Sequence, residues 1–390
     1  MTPPTPVPPP PVPPPPVGAA LRSGTARHPG LPCALAALAA VVVLTACSGA
    51  PAPAGPSAPA SPARTAAPGP SAARPALEVS PVDPLPAPAP WRAGPGEVRP
   101  EVKQAAARAV EVAGTWAATA PQDERGPEDG AGLEGAGEAL VERLAAADLL
   151  APGADRTSLA AALGPLVAPD ALTAATEVVY PQYGGLTADA ASVMVVARQE
   201  RRGRQGEASQ HGATLDVRLS PSPDGAWRVT AVQPPAPRPA GAAPSPLALE
   251  VLASPRVELP EDAAADVRAG AVGDEALAVL LGLAAAHEVA VSVARTGHPA
   301  EVFGTDRLSN HTRGRALDVW RVDGRLVVDP ASLDVVEAAM RAAGAAGATE
   351  VGGPVDLDGP AGPAFFSDDL HADHLHLGLT EGEEPIGPTG

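Results

Sequence analysis

Cysteine is almost absent: Cys33 and Cys47 are the only two in 390 residues. Cys33 lies inside an apolar run, Leu31 to Ala46, and Cys47 directly follows it. If that run is cleaved away, one cysteine remains, which excludes disulfides, thiolate nucleophiles and cysteine metal ligands. Lysine is scarcer still, with Lys103 alone, while alanine, glycine, proline and arginine dominate. That bias reads as GC-rich coding, so an alanine-rich stretch is weaker evidence for helix than usual. Basic charge is short in the C-terminal part. From Leu247 onward 24 acidic residues face 9 basic ones, within a formal net charge of -18. Nucleic acid is thereby excluded as the expected partner, because phosphate binding needs a basic patch. Two catalytic signatures are missing as well. The chain has no His-Glu-x-x-His helix and no Gly-x-Ser-x-Gly elbow, which removes the corresponding metalloprotease and serine-hydrolase readings.

Proline is abundant, with 51 residues that cluster rather than scatter, so much of the length is not expected to fold. Residues 1–16 are nearly all Pro and Val and cannot pack a core. Arg22, Arg27 and His28 then precede the apolar run, which ends Leu44-Thr45-Ala46-Cys47. A basic start, a short apolar segment and small residues before a cleavage point make a secretory signal, too short for a comfortable membrane span. The ending resembles the bacterial lipoprotein signal, in which the cysteine becomes the lipidated first residue. By that resemblance residues 1–46 are removed, and Cys47 anchors the chain at the outer face of the cytoplasmic membrane. The proline-rich head is unusual for such a signal, and a start near Val17 would shorten it. Residues 47–95 follow as a Pro/Ala-rich tether. Extended at about 3.1 Å per residue, it reaches on the order of 100 Å or more.

A first folded unit is expected over 96–233. Glu101 to Ala118 reads as a helix with Val102, Ala106, Ala109, Val110, Ala113 and Trp116 on one face. Helices near 138–150 and 158–163 follow, then strands at Thr176–Tyr180, Ala191–Ala197, Thr214–Leu219 and Ala226–Val232. Asp224-Gly225 marks the last hairpin turn. Helices first and a meander afterwards make an α+β domain. In element order it resembles the cone-shaped, nuclear-transport-factor-2-like fold. Arg198, Arg201, Arg202 and Arg204 read as a solvated hairpin loop, with anionic lipid or wall polymer as the alternative contact.

Residues 234–246 form a Pro/Ala-rich linker to a second unit over 247–380, and 381–390 is a tail. A short helix is expected at Asp262–Arg268, a longer one capped by Asp274 with Leu277, Leu280, Leu281 and Ala284 on one face, and another at Ala331–Ala343. Strands are expected at Val289–Ala294, Ala316–Val322, Leu326–Val328 and His374–Leu379. Few strands and peripheral helices make a second small α+β domain with an antiparallel sheet.

Two stretches carry the chemistry. Ser309-Asn-His311-Thr-Arg-Gly314-Arg-Ala316-Leu-Asp318 sets a histidine and an aspartate on either side of a glycine, and Asp373-His374-Leu-His376 closes the domain. Residues two apart on a strand face one side, so His374 and His376 share a cleft. Asp318 lies within a predicted strand, and Gly314 lets the backbone bend between it and His311. Two nitrogens, one carboxylate and a spare carboxylate are the parts of a zinc site that keeps an open position and activates water.

These motifs, Ser-x-His-x-x-Gly-x-Ala-x-Asp and Asp-His-x-His, resemble the zinc D-alanyl-D-alanine carboxypeptidase family, related to VanX/VanY-type dipeptidases and the Hedgehog signalling domain. The resemblance covers about the last 130 residues. It implies His311, Asp318 and His376 as Zn2+ ligands and Asp373 as general base, where the family more often has glutamate. It implies His374 as oxyanion stabiliser or proton-transfer partner, and Arg295 as the carbonyl-polarising cation. Ser309 would bond within the His311 loop. His298 is read as a loop residue and His371 as a residue of the cleft rim. The expected function is a lipid-anchored, extracytoplasmic zinc metallopeptidase acting on peptidoglycan stem peptides. D,D or L,D bonds, cleaved at a chain end or internally, stay open. The alternative is a zinc-binding lipoprotein that docks wall peptides or a partner protein without cutting them. Oligomeric state is not legible.

Overall fold

A computed structural model describes residues 85–117, 131–203, 205–240 and 243–380. The expected signal at 1–46, Cys47, the tether up to residue 84, Arg204 and the tail 381–390 lie outside those residues. The chain divides into the units Met1–Ala76 and Leu77–Gly390. Both sheets described below belong to the second. Among the described residues no helix is long and apolar enough to cross a membrane.

Helix α1 (Pro100–Gly114) starts on a proline, whose missing N–H is harmless in a first turn. It buries Val102, Ala106, Ala109, Val110 and Ala113, the predicted stripe apart from Trp116. It ends short of the expected Ala118. Thr176 Oγ1 and Gln199 Nε2 donate to the Gly114 carbonyl, and Trp116–Ala117 leave as strand β1 to pair with β2 (Ala171–Leu186). Helix α2 (Ala131–Ala146) and helix α3 (Arg156–Ala162) come next, the latter capped by Asp155, which accepts from the Thr157 and Ser158 N–H groups. The antiparallel meander continues with β3 (Ala191–Gly203), β4 (Ala208–Pro221) and β5 (Trp227–Gln233).

These strands run past the expected ends. Arg201 pairs with Ser209 and Arg202 with Ala208, so the arginines expected in a loop, apart from Arg204, extend a strand. Backbone pairing is indifferent to charge where the side chains reach water. Strand β2 also crosses Pro181, close to the register shift between Val178 and Tyr180; such irregularities accommodate a residue without an N–H.

The second sheet is built from α4 (Pro246–Ala253), β6 (Val257–Glu258), α5 (Glu261–Arg268), α6 (Asp274–Ala286) and β7 (Val289–Val293), followed by β8 (Ala316–Val322), β9 (Arg325–Leu326) and α7 (Leu333–Ala345). Strands β10 (Glu350–Gly352), β11 (Phe365–Phe366) and β12 (Leu375–Gly378) complete it. The order is β11-β10-β12-β8-β7-β6, with β9 beside β8. Its centre is antiparallel as expected, but β6 pairs parallel to β7 and β10 parallel to β11. Asp274, expected as the cap of α6, is instead its first residue; Gly273 holds the cap position, and the Asp274 carboxylate accepts from Ser245 Oγ. Asp323 and Gly324 both have positive φ, as the two central residues of a tight hairpin turn require.

Alternation along β8 sorts its side chains between two environments. Leu317 and Val319 join a core with Leu277, Leu280 and Leu283 of α6, Met340 of α7, and Leu375 and Leu377 of β12. Each such aliphatic side chain contributes roughly 1.5–3 kcal/mol by leaving water. Asp318 and Trp320 face the other way, toward the upstream sheet, where Tyr180 of β2 stacks on Trp320 at 4.6 Å. Thr214 N–H donates to Asp262 and Gly212 N–H to Glu261. Arg238 of the linker bonds Asp262 and Asp266. The two sheets keep separate apolar cores and meet through polar groups and the Tyr180–Trp320 stack.

Candidate metal centre

The loop before β8 is held at several points. Ser309 N–H and Thr312 Oγ1 both donate to the Ala300 carbonyl, and Ser309 Oγ accepts from His311 N–H. Gly314 N–H closes a turn on the His311 carbonyl at 3.0 Å. Gly314 has φ 69°, and a Cβ there would lie 2.5 Å from the Ala271 carbonyl oxygen. The turn therefore requires glycine for conformation and for space. His311 is buried, with Nδ1 2.5 Å from the Ala294 carbonyl. That contact places the proton on Nδ1 and leaves Nε2 as a lone-pair donor.

Sheet register supplies the next two groups. His376 of β12 is the cross-strand partner of Asp318 on β8. Asp318 Oδ1 lies 3.1 Å from His311 Nε2 and 3.1 Å from His376 Nδ1. The two nitrogens are 3.3 Å apart. A tetrahedral ion with bonds of about 2.0–2.2 Å sets its ligand atoms roughly 3.3–3.6 Å apart. The triangle is close to that size and needs only a slight expansion to hold a metal ion. Burial by itself would raise the Asp318 pKa, but the neighbouring histidines outweigh it and hold the carboxylate well below its usual range.

His298, read from sequence as a loop residue, belongs to the same cluster. A ligand atom of its ring lies within 4.8 Å of those of His311 and Asp318. Its ring stacks on His311 with centroids 3.9 Å apart, and Nδ1 is 2.8 Å from the Pro299 carbonyl. Burial first, then the neighbouring His311, push its pKa well down and keep it neutral. No motif includes it, and its spacing from His311 follows no secondary-structure period.

His374 and Asp373 stand next to the triangle. His374 Nδ1 is 2.6 Å from Asp373 Oδ1, and its Nε2 is 3.8 Å from Asp318 Oδ1. Burial disfavours its charge, yet Asp318 and Asp373 together raise its pKa. The other oxygen of Asp373 lies 2.5 Å from Lys103 Nζ and accepts the Tyr183 N–H at 3.2 Å. Tyr180 O–H donates to the Asp373 backbone carbonyl. Burial would lift the Asp373 pKa, but Lys103 and then His374 hold it down. Both carboxylate oxygens are thus engaged, and His374 is the group directed at the triangle. That differs from the expectation, in which Asp373 itself meets the reacting proton.

Arg295 is placed away from its expected duty. Its N–H donates to buried Asp266, and its guanidinium donates to the Pro237 carbonyl of the linker at 2.9 Å. Asp266 also binds Thr296 and Arg238, so the strand end is anchored toward the linker. His371 sits at the edge, its ring 5.1 Å from that of His374 and 5.7 Å from that of His376, with Nδ1 on Asp368. Gln182, unmarked by any motif, donates to Asp318 Oδ2 at 2.6 Å. Comparisons with protein-family models, with curated proteins and with solved structures return no match.

Proposed function

We propose that the chain is a lipid-anchored, extracytoplasmic zinc metallopeptidase that hydrolyses peptide bonds in peptidoglycan stem peptides. The observation that carries this reading is the triangle of His311 Nε2, Asp318 Oδ1 and His376 Nδ1 with His374 directed at its edge. Two imidazoles and a carboxylate suit zinc, and three protein ligands leave a fourth position for substrate chemistry. Held by these residues, a zinc ion would supply Lewis acidity toward a carbonyl and toward water near neutral pH.

The protein's own share is positioning and proton transfer. His374 Nε2 is a proton site beside the triangle, 3.8 Å from Asp318 Oδ1, and Asp373 fixes its tautomer and compensates the imidazolium. His311 is oriented by the Ala294 carbonyl. The substrate class rests on the resemblance of both motifs to wall peptidases and on the lipoprotein-like Leu44-Thr45-Ala46-Cys47. In the same reading the second sheet has the carboxypeptidase/Hedgehog arrangement and the first is nuclear-transport-factor-2-like.

A second reading, a zinc-holding lipoprotein that binds wall peptides without cutting them, draws on one observation: Asp373 is buried and paired with Lys103 rather than free. The deciding experiment incubates the purified mature chain with muropeptides, with and without chelator, and follows products by mass spectrometry. Cleavage that disappears with chelator and returns with zinc supports the peptidase. Stoichiometric zinc with peptide binding and no product supports the receptor.

A further inference from the structure

We propose that the upstream domain completes the metal centre, with Gln182 the positioning residue for Asp318. This rests on the zinc reading above. Gln182 is fully buried on β2. Its Nε2 donates to Asp318 Oδ2 at 2.6 Å, while its Oε1 accepts from Ser292 Oγ of β7. The carboxylate settles which way the amide points: ionised Asp318 only accepts, so the NH2 group must face it, and Oε1 is left to accept from the Ser292 hydroxyl. Oδ2 is thereby occupied, and Oδ1 is the oxygen left facing His311 and His376. One side chain from a different sheet thus selects which lone pairs the centre presents.

The close approach that this needs is built into β2. Gly185 lies just beyond Gln182 on the same strand, and a Cβ there would collide with the Phe303 ring. Lys103 and the Tyr183 N–H perform the parallel task for Asp373, so α1 and β2 together address both carboxylates of the centre. Outer partners of metal ligands are worth roughly 10–100-fold in metal affinity. Residues 247–380 without the first sheet would leave Asp318 Oδ2 and Asp373 Oδ2 without these donors.

The test uses the mature chain and three variants: Gln182→Met, which keeps length and removes the donor; Ser292→Ala, which removes the hydroxyl that anchors Oε1 and so loosens the amide; and Ser192→Ala as control. Ser192 is equally buried in the first sheet but bonds Asp216. Zinc dissociation constants are measured by chelator competition, and the visible spectrum of the cobalt-loaded protein reports ligand geometry. Gln182→Met should weaken zinc binding by about 10–100-fold and alter the cobalt bands, Ser292→Ala should do so less, and Ser192→Ala should do neither. Wild-type affinity and bands in both Gln182→Met and Ser292→Ala overturn the inference alone. A wild-type chain that holds no zinc overturns the metal reading together with it. If Gln182→Met does not fold, Ser292→Ala decides: unchanged affinity and bands overturn the proposal.

Discussion

Lys103 Nζ lies 2.5 Å from Asp373 Oδ2, with neither side chain more than 2% exposed. The single lysine of the chain is therefore inside it, between Asp373 and Glu97. Burial raises the Glu97 pKa against the pull of Lys103, so Glu97 takes up a proton more readily than Asp373. Lys103→Met should destabilise the folded unit by roughly 3–5 kcal/mol, the usual cost of orphaning a buried charge. Adding Glu97→Gln should recover part of that loss. Urea unfolding of the three proteins measures it, and a loss below about 1 kcal/mol would show the pair to be incidental.

Metal removal should be visible in stability before any substrate is known. Zinc at one hundred times its dissociation constant contributes about 2.7 kcal/mol, because it binds the assembled triangle of His311, Asp318 and His376. Calorimetry with and without chelator should show that difference in wild type and little of it in His311→Ala. An equal chelator effect in both proteins would place the ion elsewhere.

His374 carries the proton-transfer assignment. His374→Gln keeps a polar side chain but cannot exchange a proton, so kcat on muropeptides should fall roughly 10²–10⁴-fold. Zinc content should stay near that of wild type, since His374 is outside the triangle. Asp373→Asn should also lower kcat by leaving His374 misoriented. Turnover unchanged in His374→Gln would return the role to another group.

Two glycines with positive φ separate strain from crowding. Gly225 has φ 82° and a Cβ there would meet nothing within 4 Å, whereas Gly314 has φ 69° and the Ala271 carbonyl at 2.5 Å. Gly225→Ala should cost about 1–2 kcal/mol, the left-handed penalty alone. Gly314→Ala should cost more and weaken zinc binding as well, because the turn between His311 and Asp318 must shift. Equal losses in the two variants, by denaturant titration, would remove the steric argument.

Parts of the fold were legible where the physics is local. Strand β8 spans Ala316–Val322, matching the stretch read from its alternation. The apolar stripe of α1 is buried as its period predicts. Strands β6, β10 and β11 have two or three residues each, too few for any period, and β3 and β4 are extended by charged and polar ends that carry no apolar signal. In the site, the spacing of His311, Gly314 and Asp318 and the His374/His376 alternation were visible because one loop and two strands hold them. His298, Gln182 and Lys103 were not, since each reaches the centre from a separate element.

Donor types and the local bends that expose them are written into the order of the residues: histidines and aspartates in two short stretches, a glycine where the backbone must turn, and no cysteine after Cys47 to compete as ligand. Which atoms meet is a matter of long-range pairing. Register between β12 and β8 sets His376 opposite Asp318, and docking of β2 puts Gln182 on one oxygen of that aspartate and leaves the other for the triangle. Pairing and docking depend on contacts between distant segments whose closure is driven by whole buried faces, and no window of sequence contains them.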